Sequence, residues 1–121
     1  MIQVREAKRA DATLLMQLIL EMGQHERLAV AATAGRLAED GFGERPRFHA
    51  LIAEDGAGVA GYAFFFDYYS SFQGSGVFLE DLYVRGAYRG KGVGRALLSH
   101  IARQVIACGD FGIVFNVLEW N

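Results

Sequence analysis

A chain of 121 residues, 52% of them apolar, is long enough for one domain with a real core and short enough for only one, spanning 1–121. Twelve Lys and Arg against fourteen Asp and Glu leave a formal charge of −2, which argues against nucleic acid as an obligate partner. No apolar run reaches the length of a membrane span, and Met1-Ile2-Gln3-Val4-Arg5 is not a signal peptide. Cys108 stands alone and cannot form an intrachain disulfide, so a reducing cytoplasm is the expected compartment. No His follows Cys108, so it reads as a small residue packed late in a helix rather than a nucleophile.

Residues 2–5 alternate as a first strand. Asp11 is a candidate N-cap for a helix whose stripe is Leu14, Leu15, Leu18, Ile19 and Met22. Thr33 is placed to cap a second, weaker helix that stops at Gly41. Residues 48–53 form a strand, and Asp55-Gly56-Ala57-Gly58 is the turn of a hairpin into a strand over 59–66. Residues 70–76 read as a polar, glycine-bearing loop. Val77-Phe78-Leu79-Glu80-Asp81-Leu82-Tyr83-Val84 is apolar, aromatic and β-branched enough for a buried strand. Val93, Leu97, Ile101 and Val105 recur every four residues as the stripe of an amphipathic helix, and Gly109-Asp110 turns the chain into a last strand over 111–118. The order β-α-α-β-β-β-α-β predicts an α/β fold, a mixed sheet with helices on both faces. No repeat, linker or low-complexity tract interrupts it.

Between the buried strand and its helix lies Arg89-Gly90-Lys91-Gly92-Val93-Gly94. Three glycines permit positive φ and close approach of a ligand to the backbone. A helix N-terminus there points orphan N–H groups and the helix dipole at one spot, and Arg89 and Lys91 add fixed positive charge. The unit suits a pyrophosphate. A P-loop needs four residues between its first Gly and a Gly-Lys pair, followed by Ser or Thr; here three separate Gly86 from Gly90-Lys91, and Gly92 follows. A dinucleotide fingerprint needs G-x-G-x-x-G early in a βαβ unit, whereas this loop reads G-x-G-x-G and comes late.

What remains, R-x-x-G-x-G at Arg89, Gly92 and Gly94 directly after Leu79-Glu80-Asp81-Leu82-Tyr83-Val84, resembles motif A of the GNAT acetyltransferases. The likeness spans nearly the whole chain. Val4-Arg5-Glu6-Ala7, His25-Glu26, Glu39-Asp40-Gly41-Phe42-Gly43-Glu44-Arg45-Pro46, residues 48–54 and Leu118-Glu119-Trp120-Asn121 all look like the spermidine/spermine (diamine) N-acetyltransferase branch. Residues 67–76 depart from it and look more like relatives that accept thialysine and other small amines. The resemblance implies a GNAT fold lacking its last helix and strands, because in relatives the counterpart of Asn121 opens a further segment carrying a general-acid tyrosine. The expectation is therefore a C-terminally incomplete domain with an exposed edge at its last strand. The resemblance further implies acetyl-CoA as cosubstrate, no metal, a small amine substrate, no nucleic acid or membrane partner, and a homodimer. Carried over by position, Leu82, Tyr83, Val84, Arg89, Gly90, Lys91, Gly92, Val93, Gly94, Arg95 and Asn121 bind the cosubstrate, and Glu26, Glu80, Asp81 and Asn116 the amine.

A primary alkylamine has a pKa of roughly 10.4, so about one molecule in a few thousand is neutral at pH 7 and a base is useful. Glu80 and Asp81 are the candidates. Strand alternation puts Phe78, Glu80, Leu82 and Val84 on one face and Leu79, Asp81 and Tyr83 on the other, unless a bulge intervenes. By resemblance Glu80 holds the catalytic base position. The plain structural alternative for Asp81 is a pair with an Arg or a capped backbone amide, and for Tyr83 an aromatic packed on the motif helix. Backbone N–H groups at Leu82 to Val84 would serve the thioester carbonyl if the strand bulges. Glu26 fits a polyamine-contacting glutamate or a solvated helix end; His25 reads as a surface histidine; Asn116 touches substrate or bonds to backbone. Two other functions stay open: a non-catalytic acyl-CoA-binding or regulatory module, and a protein or peptide acetyltransferase, which needs a groove rather than an acidic pocket.

Overall fold

The apolar stripes find their partners on the two faces of one sheet. The computed structural model describes residues 1–56 and 58–116. Its elements are β1 (Ile2–Glu6), α1 (Ala12–His25), α2 (Ala34–Phe42), β2 (His49–Asp55), β3 (Gly58–Ser70), β4 (Gly74–Val84), α3 (Val93–Cys108) and β5 (Ile113–Val114). Among the described residues the strands form a single sheet in chain order, antiparallel except for the parallel β4–β5 pair that α3 connects. Val93, Leu97, Ile101 and Val105 of α3 pack on Leu51, Ala53, Ala63, Phe65, Val77 and Leu79 on one face. Leu15, Met16 and Leu18 of α1 and Leu37 of α2 cover Phe48, Ala50 and Tyr62 on the other. No helix among the described residues is long and apolar enough to cross a membrane.

Local signals are honoured at most ends. Thr33 Oγ1 accepts the Arg36 N–H at 3.2 Å and caps α2, which runs one residue past its expected stop. Gly109, at φ +71°, closes α3 while the Asp110 N–H returns to the Val105 carbonyl at 3.0 Å. Asp11 departs from its expected role. It precedes α1 but does not cap it; its carboxylate instead takes both terminal nitrogens of Arg5, at 2.8 and 3.0 Å, and the Lys8 N–H at 2.8 Å. A bidentate guanidinium outcompetes a helix cap because both groups are charged. Cys108 is exposed rather than packed.

The expected loop at 70–76 is largely strand. Tyr68 pairs with Gly76, Tyr69 with Ser75 and Ser70 with Gly74, so β3 and β4 form one long hairpin turned by residues 71–73. The aromatic residues favour strand, and the Phe111 ring packs against Gly76 where a side chain would have to displace it. The last strand is short within the described residues, covering only Ile113–Val114 of the expected 111–118.

Two bulges interrupt the ladders of β3. Ala53 pairs with Gly61 and Glu54 with Val59, which leaves Ala60 as the extra residue. Phe64 pairs with Asp81 and Phe65 with Leu79, which leaves Glu80 as the extra residue. Near the first bulge the strands approach so closely that a Cβ on Gly61 would collide with the Tyr83 carbonyl oxygen, a main-chain atom that cannot swing aside. Gly61→Ala is therefore expected to lower the unfolding free energy by about 1–3 kcal/mol, an overpacking cost. Urea denaturation followed by circular dichroism checks this.

Candidate active site

The bulge at Glu80 decides which side chains share a face. Before it, Leu79 packs in the α3 layer, and Phe78 stacks on Phe66, which packs in the α1–α2 layer, with ring centroids 5.1 Å apart. After it, Asp81 reaches the Tyr62 hydroxyl and Tyr83 packs in the α1–α2 layer, while Val84 joins the α3 layer. Simple alternation would have grouped Leu79 with Asp81 and Tyr83; the extra residue breaks that grouping. Asp81 thereby leaves the face of α3 and turns to the end of α1.

Asp81 is half-buried, and Tyr62 donates a hydrogen bond to its Oδ2 at 2.9 Å. Among the described residues neither an Arg nor a backbone amide holds it, in contrast to the plain structural alternative read from the sequence. Burial pushes its carboxyl up to about 6, the Tyr62 hydrogen bond opposes that rise, and the nearby charges of Glu80 and Glu26 add to it. Tyr62 itself is pushed well above the usual phenol range by burial and by Asp81, so it stays a donor. Glu26 follows α1 directly, its N–H bonded to the Met22 carbonyl at 2.9 Å, and its Oε2 is buried without a hydrogen-bond partner. The next residue, Arg27, takes the left-handed region at φ +60°, so that the Leu28 N–H can bond the Gly23 carbonyl at 2.8 Å and end the helix. Glu80 is exposed. Among the described residues, none of these three carboxylates has a Lys, Arg or His ion-pair partner. Uncompensated negative charge of this kind is a place for a cation.

Beside them runs an open strand edge. The Arg85 N–H bonds the Ala60 carbonyl of β3 at 2.8 Å. Antiparallel alternation turns the N–H groups of Tyr83 and Asp81 the same way, and those of Leu82 and Val84 toward the opposite edge. That edge is paired with β5 only at Val77 and Phe78 among the described residues. Among the described residues, no strand accepts the backbone N–H groups of Leu82 and Val84.

The glycine-rich turn lies at the far end of β4. After a 3₁₀ turn over Gly86–Tyr88, Gly90 (φ +78°) and Gly92 (φ +82°) both occupy the left-handed region, and Gly92 is the N-cap of α3. The N–H groups of Val93, Gly94 and Arg95 have no intrahelical acceptor, and no side chain among the described residues caps the helix to take them. A Cβ on Gly90 or Gly92 would meet nothing within 4 Å, so the space in front is open. Arg89, Lys91 and Arg95 are exposed around it, with Lys91 Nζ 5.6 Å from the Tyr88 ring centroid. Val93 is 1% exposed and anchors the turn in the core, and Val84 packs beside Gly94. Sixteen residues of helix, uncapped and fronted by cations, fit an anionic ligand such as a pyrophosphate.

Three contributors escaped the sequence reading: Tyr62, Glu21 and Arg85. Arg85 donates from Nε and Nη2 to the two oxygens of Glu21, at 3.0 and 2.8 Å, and from Nη1 to the Val59 carbonyl at 3.2 Å. Tyr83 adds its hydroxyl to Glu21 at 3.2 Å, so it serves α1 and not the motif helix. Hydrogen bonding to Arg85 holds the Glu21 carboxyl below its usual range. This clamp ties α1 to the last residues before the turn. Asn116 is exposed two residues beyond β5, and no hydrogen bond joins it to the carboxylates. Asn121 lies outside the described residues.

Comparison with known proteins places the chain in a family. The chain matches the Acetyltransferase (GNAT) family over residues 14–121. It is 35% identical to a thialysine N-epsilon-acetyltransferase of Bos taurus over 99% of this chain and 76% of that protein. It is 34% identical to a spermidine/spermine N(1)-acetyltransferase-like protein 1 of Homo sapiens over 98% of this chain and 18% of that protein. Among solved structures, a ribosomal-protein-alanine N-acetyltransferase from Brucella melitensis shares the fold, with a TM-score of 0.81 and 21% identity over 98% of this chain and 82% of that one. Sheet, uncapped glycine turn and family match converge: the chain belongs to the GNAT family of acetyltransferases.

Proposed function

We propose that this acetyltransferase uses acetyl-CoA to acetylate a primary amine of a small diamine, polyamine or thialysine-like substrate by direct attack. The observation that carries the reading is the group Glu26, Glu80 and Asp81, three carboxylates that have no counter-cation among the described residues, beside an open strand edge that leads to a turn suited to an anion. When bound, acetyl-CoA supplies the acetyl thioester. The turn from Arg89 to Arg95 would hold its phosphates through N–H groups and surrounding cations. The Leu82 and Val84 N–H groups are donors available to a carbonyl oxygen. Glu80, exposed at the bulge, accepts the proton of the attacking amine, directly or through water. Asp81 and Glu26 hold a cationic end of the substrate. The names of the bovine and human relatives support the amine class. The cytoplasm and a homodimer complete the reading. Steady-state acetylation with spermidine, putrescine, thialysine, lysine and a basic peptide tests it; turnover confined to the peptide would sink it.

Three further outcomes are expected. Gly92→Val strains a left-handed residue and fills the open space in front of the helix, so it should weaken CoA binding more than Lys91→Ala, as read by calorimetric titration. Glu80→Gln should lower kcat at pH 7 by about 10²–10⁴-fold and leave CoA affinity intact; that loss on Asp81→Asn instead would move the base to Asp81. Asp81→Asn also has a stability signature. Its folded carboxyl titrates near 6, above the ordinary 3.8, so the native state binds that proton more tightly and stability falls as pH rises through that window. Removing the charge should raise the unfolding free energy by about 1–2 kcal/mol at pH 7.5 and change little at pH 3.5, measured by denaturant titration at both.

A further inference from the structure

Tyr62 is among the largest fully buried side chains of the protein, 0% exposed beneath α1 and α2. A phenylalanine would fill the same volume. Burying the hydroxyl as well is costly unless it is hydrogen-bonded. This one leaves the apolar layer for Asp81 Oδ2 at 2.9 Å, with Met22 Sδ at 3.5 Å as its other polar neighbour. Tyr62 pairs with Tyr83 and Asp81 with Phe64, so the contact is a diagonal across the β3–β4 ladder, just past the bulge.

The groups around Asp81 act unequally. Glu80 on its own strand and Glu26 from the end of α1 both oppose its ionisation, as does burial. Tyr83, next on the same face, gives its hydroxyl to Glu21, and the Arg85 guanidinium is taken up by Glu21 as well. Among these described neighbours, the Tyr62 hydroxyl is the one that favours the charged form of Asp81.

We propose that Tyr62 is a positioning residue of the amine site: its hydroxyl fixes one oxygen of Asp81 and keeps that carboxyl ionised, so that Asp81 meets the cationic end of the substrate while Glu80 remains the proton acceptor. This rests on the amine-acetyltransferase reading above. Tyr62→Phe keeps the ring and removes only the donor. Asp81, already titrating near 6, then moves up toward or past neutrality, and a neutral carboxyl does not pair with an ammonium. KM for the best small amine should rise about two- to tenfold at pH 7, since losing one hydrogen bond to a charged group moves the Asp81 titration up by roughly one to two pH units. It should return to the wild-type value near pH 9, where Asp81 is ionised in both proteins and the amine is still mostly cationic. CoA affinity and kcat should be unchanged.

KM against pH for both proteins, with a carbon-13 NMR titration of the Asp81 carboxyl, tests this. A raised Asp81 titration together with a KM defect that disappears at high pH supports the proposal. Superimposable KM profiles overturn it, as does a shifted Asp81 with unchanged KM, or a kcat loss equal at all pH values. Wild-type protein that acetylates no amine would overturn the functional reading first and this proposal with it, and the wild-type assay alone tells those failures apart.

Discussion

One residue inserted into the β3–β4 ladder organises the catalytic side of this molecule. With Glu80 unpaired, the two halves of β4 face opposite ways. Val77 and Leu79 serve the α3 core, whereas Asp81 and Tyr83 serve the layer under α1. The same insertion sharpens the local twist. It also puts a charged residue at a point where no partner strand residue opposes it. A regular ladder would have buried Asp81 beneath the apolar stripe of α3, where an isolated carboxylate has no place.

Around that bulge, two ties determine where the pieces sit. The Glu21–Arg85 pair links the C-terminal part of α1 to the residue after β4, and Arg85 also reaches the Val59 carbonyl at the start of β3. Val93 plants the first turn of α3 in the core on the opposite face. The acidic group and the cationic turn are therefore held by different faces of the same strand end, one negative and one positive. The Glu21 and Arg85 side chains are both partly buried, so the attraction within this clamp is screened less than at an open surface.

Much of this was legible from local signals. Gly90, Gly92 and Gly109 carry their backbone conformation in their own identity, and the stripes of α1 and α3 are written at helical spacing. Thr33 needed only the residue three positions on to cap α2. What could not be read is pairwise and distant. The bulge at Glu80 is a property of β3 and β4 together, and the Tyr62–Asp81 and Glu21–Arg85 contacts join residues 19 and 64 positions apart. Asp11 carries a good cap signal, but Arg5 on the preceding strand β1 claims it. Serine and glycine make residues 70–76 look like a loop, yet the pairing of Tyr68 and Tyr69 extends the hairpin through most of it.

The length of that hairpin has a consequence for the protein in a crowded cell. β2 stops pairing with β3 at Phe65, whereas β3 continues to Ser70. From Phe66 to Ser70 the outer edge of β3 is unpaired among the described residues, and Tyr69 on it is 76% exposed. An extended, aromatic, unpaired edge is a template for strand addition and aggregation. Asp67 stands in the middle of it, 88% exposed and 3.3 Å from His49 Nε2. An incoming strand would have to strip water from that carboxylate in order to pair, so a single charge keeps the long hairpin from recruiting another chain along this edge.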